Sequence, residues 1–283
     1  MNRKIIAIEA DWHSNNRYGL LNPETLLYSD DDGEFEPSVV PVQKFLWELR
    51  QQNLEFLKEI AGKDDIYFIH LGDPAQGFKH STEYVSDTLA NQQAITIANA
   101  RPVFDIPNVK VGRFVIGTEA HEGVGGSHTR MLYELLQAEY PDVDIAALYH
   151  SFIDFDGTTF DCTHHGPTTG IRTWTEGNQL RAYLKDIMIT DHMNDRVPPR
   201  YVFRGHVHRR AWETVRIALD RDFLISDIIV VPSMCDMGAF ARQITRSENR
   251  ITNGMVVMEL IDGMVIDIHW LTVTRDMRKR EVL

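Results

Sequence analysis

Short apolar runs rich in β-branched residues recur along the chain, and the first three alternate with stretches of helical spacing. The runs are "KIIAIEA" (Lys4–Ala10), "DIYFIHLGD" (Asp65–Asp73) and "VKVGRFVIG" (Val109–Gly117). Each has the length and make-up of a buried strand. After the first, Pro41 opens a segment with Val42, Phe45, Leu46, Leu49, Phe56, Leu57 and Ile60 on one helical face. After the second, the pattern predicts a polar helix over Tyr84–Asn99. After the third, Ser127 is the expected cap of a helix carrying Met131, Leu132, Leu135 and Leu136.

The second half reads differently. "SFIDFDGTTFDCTHH" is strand, Asp-Gly turn, strand. Leu180, Tyr183, Leu184, Ile187 and Met188 form a helical stripe, and "RYVFRGHVH" is a strand running into a loop. "TVRIAL", "DIIVVPS", "GMVVMEL" and "GMVIDIHW" come next as strands, the last two joined through Asp262-Gly263. Strands alternating with helices early and consecutive strands late predict a mixed α/β sandwich. No repeat, low-complexity tract or linker interrupts it, so residues 1–283 are expected to form a single domain. The polar stretch from Asp11 to Pro37, centred on "DDDGE", predicts a solvated loop, and the charged end "TRDMRKREVL" is expected to fray.

Charge and cysteine content narrow the function. A net charge of −12 argues against a protein that coats nucleic acid through a broad basic surface. It leaves room for a nuclease, because bound cations invert the local field of a site. Cys162 and Cys235 give no disulfide framework and no cysteine-based zinc motif, which predicts a reducing, cytoplasmic setting. No apolar run reaches the length of a membrane span, and the short run in "MNRKIIAIEADWH" reads as a first strand rather than a signal peptide.

The histidines and aspartates matter by position. Asp11 and His13 follow the first strand; Asp73 follows the second; Glu119 and His121 follow the third; His164 and His165 follow the hairpin; His206 and His208 follow "RYVFR". Any one of these is ordinary, but together they place possible metal ligands at strand ends, where open α/β sheets carry their sites. In an extended segment residues i and i+2 point the same way, so Asp-x-His and His-x-His can each aim two ligands at one point. Mixed imidazole and carboxylate donors suit Zn, Mn, Fe, Ni or Co. His70, within a strand, is expected in the core or behind the ligands.

In order, the blocks Asp11-Trp12-His13, Gly72-Asp73, Gly117 to His121, His164 and Gly205-His206-Val207-His208 resemble those of the calcineurin-like metallophosphoesterase superfamily. "GTEAH", "THHGPTTGIRTW" and "RGHVH" extend the resemblance to a subgroup often carried by bacteriophages and prophages. It implies a four-layer αββα sandwich of two mixed β-sheets flanked by helices. It also implies a dinuclear centre of divalent ions, with manganese expected to support activity in vitro. By position, Asp11, His13 and His208 would hold one ion, His164 and His206 the other, and Asp73 would bridge them. Metal-activated water would attack a phosphomonoester or phosphodiester, His121 would be the general acid, and His165 would sit beside the substrate. Arg204 and Arg172 are candidates for phosphate contact. Trp12 and Trp174 fit core packing better than stacking on a substrate.

The third block departs from the family pattern. It lacks the asparagine whose side-chain oxygen completes the second metal's shell. Three alternatives are open. Glu119 replaces it with a carboxylate oxygen, the alternative favoured by ligand strength; Thr118 supplies a hydroxyl or holds a water; or the second site is weak. The partner is accordingly a phosphate ester, extending to nucleotides or nucleic acid, with no membrane involved. A DNA nuclease of the same superfamily is the runner-up activity, and a phosphoesterase-fold scaffold without catalysis is the non-enzymatic alternative.

Overall fold

The computed structural model describes residues 2–31, 33–79, 83–168, 175–220, 222–238, 250–278 and 281. Their elements run, in chain order, β1 (Arg3–Glu9), β2 (Leu27–Ser29), β3 (Gly33–Phe35), α1 (Pro41–Ala61), β4 (Asp65–His70), α2 (Leu89–Phe104), β5 (Val109–Val115), α3 (Glu119–Glu122), α4 (Ser127–Glu139) and β6 (Asp144–Leu148). Then come β7 (Ser151–Phe155), β8 (Thr158–Thr163), α5 (Asn178–Met193), β9 (Tyr201–Arg204), β10 (Ala211–Ala218), β11 (Phe223–Val230), β12 (Arg250–Ile261) and β13 (Met264–Asp276).

Two large sheets result, ordered β13-β12-β1-β4-β5-β6 and β10-β11-β9-β8-β7. Both are mixed. β1, β4, β5 and β6 run parallel; β12 lies antiparallel beside β1, and the edge strand β13 antiparallel to β12. In the second sheet β8, β9 and β11 run parallel, flanked by antiparallel β7 and β10.

The period-2 alternation of strand side chains explains the layers. Ile5 and Ala7 of β1 face Leu46, Leu54 and Leu57 of α1, Val103 and Phe104 of α2, and Leu132 and Leu136 of α4. Their neighbours Ile6 and Ile8 face the other way, against Phe160, Phe203 and Ile229 of the second sheet. That sheet's outer face packs Val202, Ile228 and Val230 under Leu180, Leu184 and Met188 of α5. Each of these three helix side chains contributes on the order of 1.5–3 kcal/mol by leaving water. The order is helices, sheet, sheet, helix: the four-layer sandwich.

Several local expectations shift. The stretch from Asp11 to Pro37 is solvated mainly in its second part, where Tyr28, Asp30, Asp31, Glu34, Phe35 and Glu36 are exposed; its first part goes inward. Leu20 and Leu21 are fully buried, as are Ser14 and Asn15. Its polar groups find partners inside: Asn99 Nδ2 donates to Ser14 Oγ at 2.9 Å and to Leu20 O at 2.8 Å. The helix expected over Tyr84–Asn99 begins five residues later, where Thr88 Oγ1 accepts from Asn91 N at 3.3 Å, and runs on to Phe104. α4 is capped by Gly126 in the left-handed region rather than by Ser127. β6, absent from the sequence reading, is the edge strand beside β5.

Candidate metal centre

The parallel strands β1, β4 and β5 of one sheet and β8, β9 and β11 of the other end on the same side, and their exits are laced together. Asp11 N donates to Gly72 O, His13 N to Asp73 O, and Gly205 N to His164 O, each at 3.0 Å. The alternate-residue motifs do not converge by lying extended, as their spacing suggested. Asp11, His13, Asp73, His206 and His208 all have positive φ, between 44° and 69°. For residues other than glycine this region is costly, and such strain concentrates where tertiary structure over-determines a site. Two glycines leave the necessary room. A Cβ at Gly72 would sit 2.5 Å from His164 Nδ1, and one at Gly117 would sit 2.1 Å from Asp73 Oδ1.

Eight of the sequence-nominated residues come together: Asp11, His13, Asp73, His121, His164, His165, His206 and His208. Asp11 Oδ1 lies 3.3 Å from His208 Nε2 and 3.7 Å from His13 Nε2. The two imidazole nitrogens are 3.2 Å apart. Asp11 Oδ2 accepts from His206 N at 3.0 Å. Asp73 Oδ2 is 3.0 Å from His164 Nε2. Among the described residues Asp73 belongs to two groups of convergent donors, one with Asp11 and His164 and one with His13 and His121. A further group joins His164, His165 and His206.

Hydrogen bonds orient the rings. His164 donates Nδ1–H to Leu71 O at 2.6 Å, and His13 donates Nδ1–H to Gln76 Oε1 at 3.2 Å. Both arrangements turn the Nε2 lone pair inward, as metal-ligating histidines require. His121 donates its Nδ1–H to Gln76 O at 2.7 Å and stacks edge-on to His13, ring centres 4.5 Å apart.

The electrostatics follow from burial and mutual attraction. Burial would raise the Asp73 carboxyl, but the charge and hydrogen bond of His164 hold it well below the usual carboxylate range. Burial likewise opposes ionisation of Asp11, and His208 and His13 outweigh it. Burial and then His121 lower His13 to about 4. His164 is disfavoured as a cation by burial, yet Asp73 raises it to about 9. Asp11 Oδ1 is buried without a hydrogen-bond partner. An unsatisfied carboxylate oxygen facing two imidazole nitrogens is a donor set that a divalent cation would satisfy.

The remaining nominated residues fall differently. Glu119 is exposed at the start of α3, and it is the other carboxylate of that turn, Glu122, that is buried. Glu122 accepts from Gly117 N at 3.0 Å, Thr129 N at 3.0 Å and Thr129 Oγ1 at 2.7 Å. Burial raises it to about 7. Thr118 Oγ1 instead lies among the second group of imidazoles, 3.2 Å from His164 Nε2, 3.3 Å from His165 Nε2 and 3.4 Å from His206 Nδ1. The expectation that Arg204 meets phosphate is corrected. It is 2% exposed, donates to Asp161 Oδ1 at 2.8 Å and to Tyr183 Oη at 3.0 Å, and so is spent inside the second sheet. Arg172 and Trp174 lie outside the described residues. Trp12 is core: fully buried, its Nε1 donates to Glu9 Oε2 at 2.9 Å, and His70 packs on it edge-on at 4.3 Å.

Sequence reasoning missed one group at this site, Cys235 beyond β11, which lies with His13 and His208; Thr118, one of its three alternatives for the absent amide, is the one whose hydroxyl lies among the histidines. Only the position of Cys235 just past a further strand end pointed to it.

No protein-family model matches the chain, and no curated protein matches it in sequence. Among similar solved structures, an archaeal phosphodiesterase is 13% identical over 96% of this chain and 99% of its own, with a TM-score of 0.42. Vps29 from Entamoeba histolytica, solved with zinc, is 8% identical over 97% of this chain and 99% of that one, at 0.37. A metallophosphoesterase from Sphaerobacter thermophilus is 15% identical over 89% and 82% respectively, at 0.28. Likeness at this level carries nothing about chemistry, which rests on the side chains themselves.

Proposed function

We propose that this chain is a metal-dependent phosphoric ester hydrolase of the metallophosphoesterase type, in keeping with the phage-borne subgroup its sequence blocks resemble. The observation that carries the reading is the position of Asp73, a buried carboxylate shared between two sets of convergent imidazoles and carboxylates. Asp11, His13 and His208 would hold one divalent cation and His164 and His206 another, with Asp73 reaching both. When bound, such a pair neutralises phosphate charge and lowers the pKa of water to near neutrality.

The chain's own groups do the rest. His121 has its Nδ1–H committed to Gln76 O, so Nε2 is the nitrogen that passes a proton to the leaving oxygen. His165, exposed at the rim, is placed to meet the substrate, and the Thr118 hydroxyl stands where the family pattern has an amide. Substrates are phosphomonoesters or diesters, extending to nucleotides and nucleic acid. No described helix is long and apolar enough to cross a membrane.

Hydrolysis of bis(p-nitrophenyl) phosphate with added Mn²⁺ tests the reading. Asp73→Asn and His208→Ala are expected to abolish it. Unchanged rates in both variants would sink the assignment.

A further inference from the structure

One buried sulfur, which donates to Asp236 O at 3.2 Å, lies beside the first of these positions. Cys235 lies past β11 in "VPSMCDM". Its Sγ, a ring nitrogen of His13 and a ring nitrogen of His208 all lie within 4.8 Å of one another. The histidine nitrogens, 3.2 Å apart, are already near the separation of two nitrogens each about 2.0–2.1 Å from one zinc ion.

The two cysteines have opposite surroundings. Cys162 is packed between the sheets with Phe160, Phe203 and Ile229, the ordinary fate of a free buried thiol. Cys235, 4% exposed, belongs to none of the apolar clusters among the described residues. Its backbone is fixed against the ligand loop. Cys235 O accepts from Ser233 Oγ at 2.8 Å and from Asn253 Nδ2 at 3.0 Å. Met234 N donates to Ala10 O at 3.1 Å and to Asp11 O at 3.2 Å. The segment bearing the sulfur is thus hydrogen-bonded directly to the segment bearing Asp11 and His13.

We propose that Cys235 supplies a thiolate to the cation held by Asp11, His13 and His208, and that this sulfur biases the position toward Zn²⁺ or Co²⁺ over Mn²⁺. The inference rests on the metal-centre reading above. Thiolate is a soft donor that favours zinc, whereas manganese is served by oxygen ligands. On binding, the S–H bond breaks, the sulfur pair forms the sulfur–metal bond and the proton leaves to solvent, as metal ligation by cysteine requires. The unequal donor sets would let the two positions take different metals.

The test uses the full chain, stripped with a chelator and reloaded with Co²⁺. The wild type is expected to show visible d–d bands together with a near-ultraviolet thiolate-to-cobalt charge-transfer band. Cys235→Ser should keep d–d absorption, lose the charge-transfer band, and lose zinc affinity relative to manganese by at least the roughly tenfold that loss of an outer partner of a metal ligand costs. Cys162→Ser should behave as wild type. Wild-type d–d bands without the charge-transfer band would overturn the role of Cys235 and leave the metal centre standing. Absence of any cobalt absorption would remove the metal centre and this proposal together.

Discussion

The backbone N–H of Thr118 donates to Asp73 Oδ1 at 2.7 Å. The loop after β5 therefore holds the shared carboxylate from one side while His164 holds it from the other. The contact is close because residue 117 has no side chain.

Gly117→Ala tests this arrangement. Its Cβ would fall 2.1 Å from Asp73 Oδ1, a buried carboxylate tip held by Thr118 N, and 2.5 Å from the backbone Asp73 N. We expect a loss of about 1–3 kcal/mol in stability and no measurable phosphoester hydrolysis. A wild-type melting curve and rate would contradict it.

Thr118 and Glu119 can be separated by substitution. Thr118→Val removes a hydroxyl that lies among three imidazoles and is expected to weaken binding of the second metal equivalent in a calorimetric titration. Thr118→Asn, which introduces an amide oxygen, should restore it. Glu119→Gln should leave both stoichiometry and rate unchanged, because Glu119 is exposed. Loss of a metal equivalent in Glu119→Gln would reassign the ligand.

Arg204→Met should act on stability rather than on substrate. It leaves the buried Asp161, partner of the guanidinium at 2.8 Å, with only the exposed His150 imidazole at 3.0 Å. Breaking a buried ion pair from one side costs about 3–5 kcal/mol, readable as a lowered urea midpoint. KM for the phosphoester is expected to stay within about twofold. A raised KM at unchanged stability would restore the phosphate-binding role.

Acidification should destabilise the metal-free protein partly through His70. Burial holds this residue at about 3 in the folded state, against an ordinary value near 6.5. Between those values the unfolded chain binds a proton that the folded chain refuses, so stability is present above about pH 6.5 and falls as pH drops toward 3. At about 1.4 kcal/mol per pH unit, the wild type should lose about 2 kcal/mol more than His70→Leu between pH 6.5 and 5 in urea unfolding. Equal losses would place the titration elsewhere. His164 has the opposite sign: raised to about 9, it contributes stability that is full below pH 6.5 and lost as pH rises through 9.

The sandwich and the gathering of the nominated residues at one end of it are legible in the sequence because both depend on local pattern. Short continuous apolar runs in "KIIAIEA" and "DIYFIHLGD" declare strands, and the residues just past each strand lie at one end of a sheet. Two of the misreadings involve partners far away in sequence. Nothing near Asn15 or Ser14 announces that Ser86 and Asn99 will bury them. Nothing in "VFRGH" says that Arg204 turns to Asp161 and Tyr183. "GTEAHEG" offers two carboxylates, and only the position of Thr129 decides that Glu122 goes inward. The left-handed backbone of Asp11, His13, Asp73, His206 and His208 is hidden in the sequence because it is set where loops meet only after folding.

The hydrogen bond from His206 N to Asp11 Oδ2 spans 195 residues of sequence, and β1 is also paired along its other edge with β12, Arg250–Ile261. A nascent chain emerges from the ribosome N-terminus first, so every nominated ligand through His208 is exposed before β12 exists to close the edge of β1. Non-local pairings of this kind form late and slowly. The arrangement therefore delays closure of the β1 edge until β12 has been made, and a chain truncated ahead of β12 would carry every nominated residue through His208 without the strand that covers that edge.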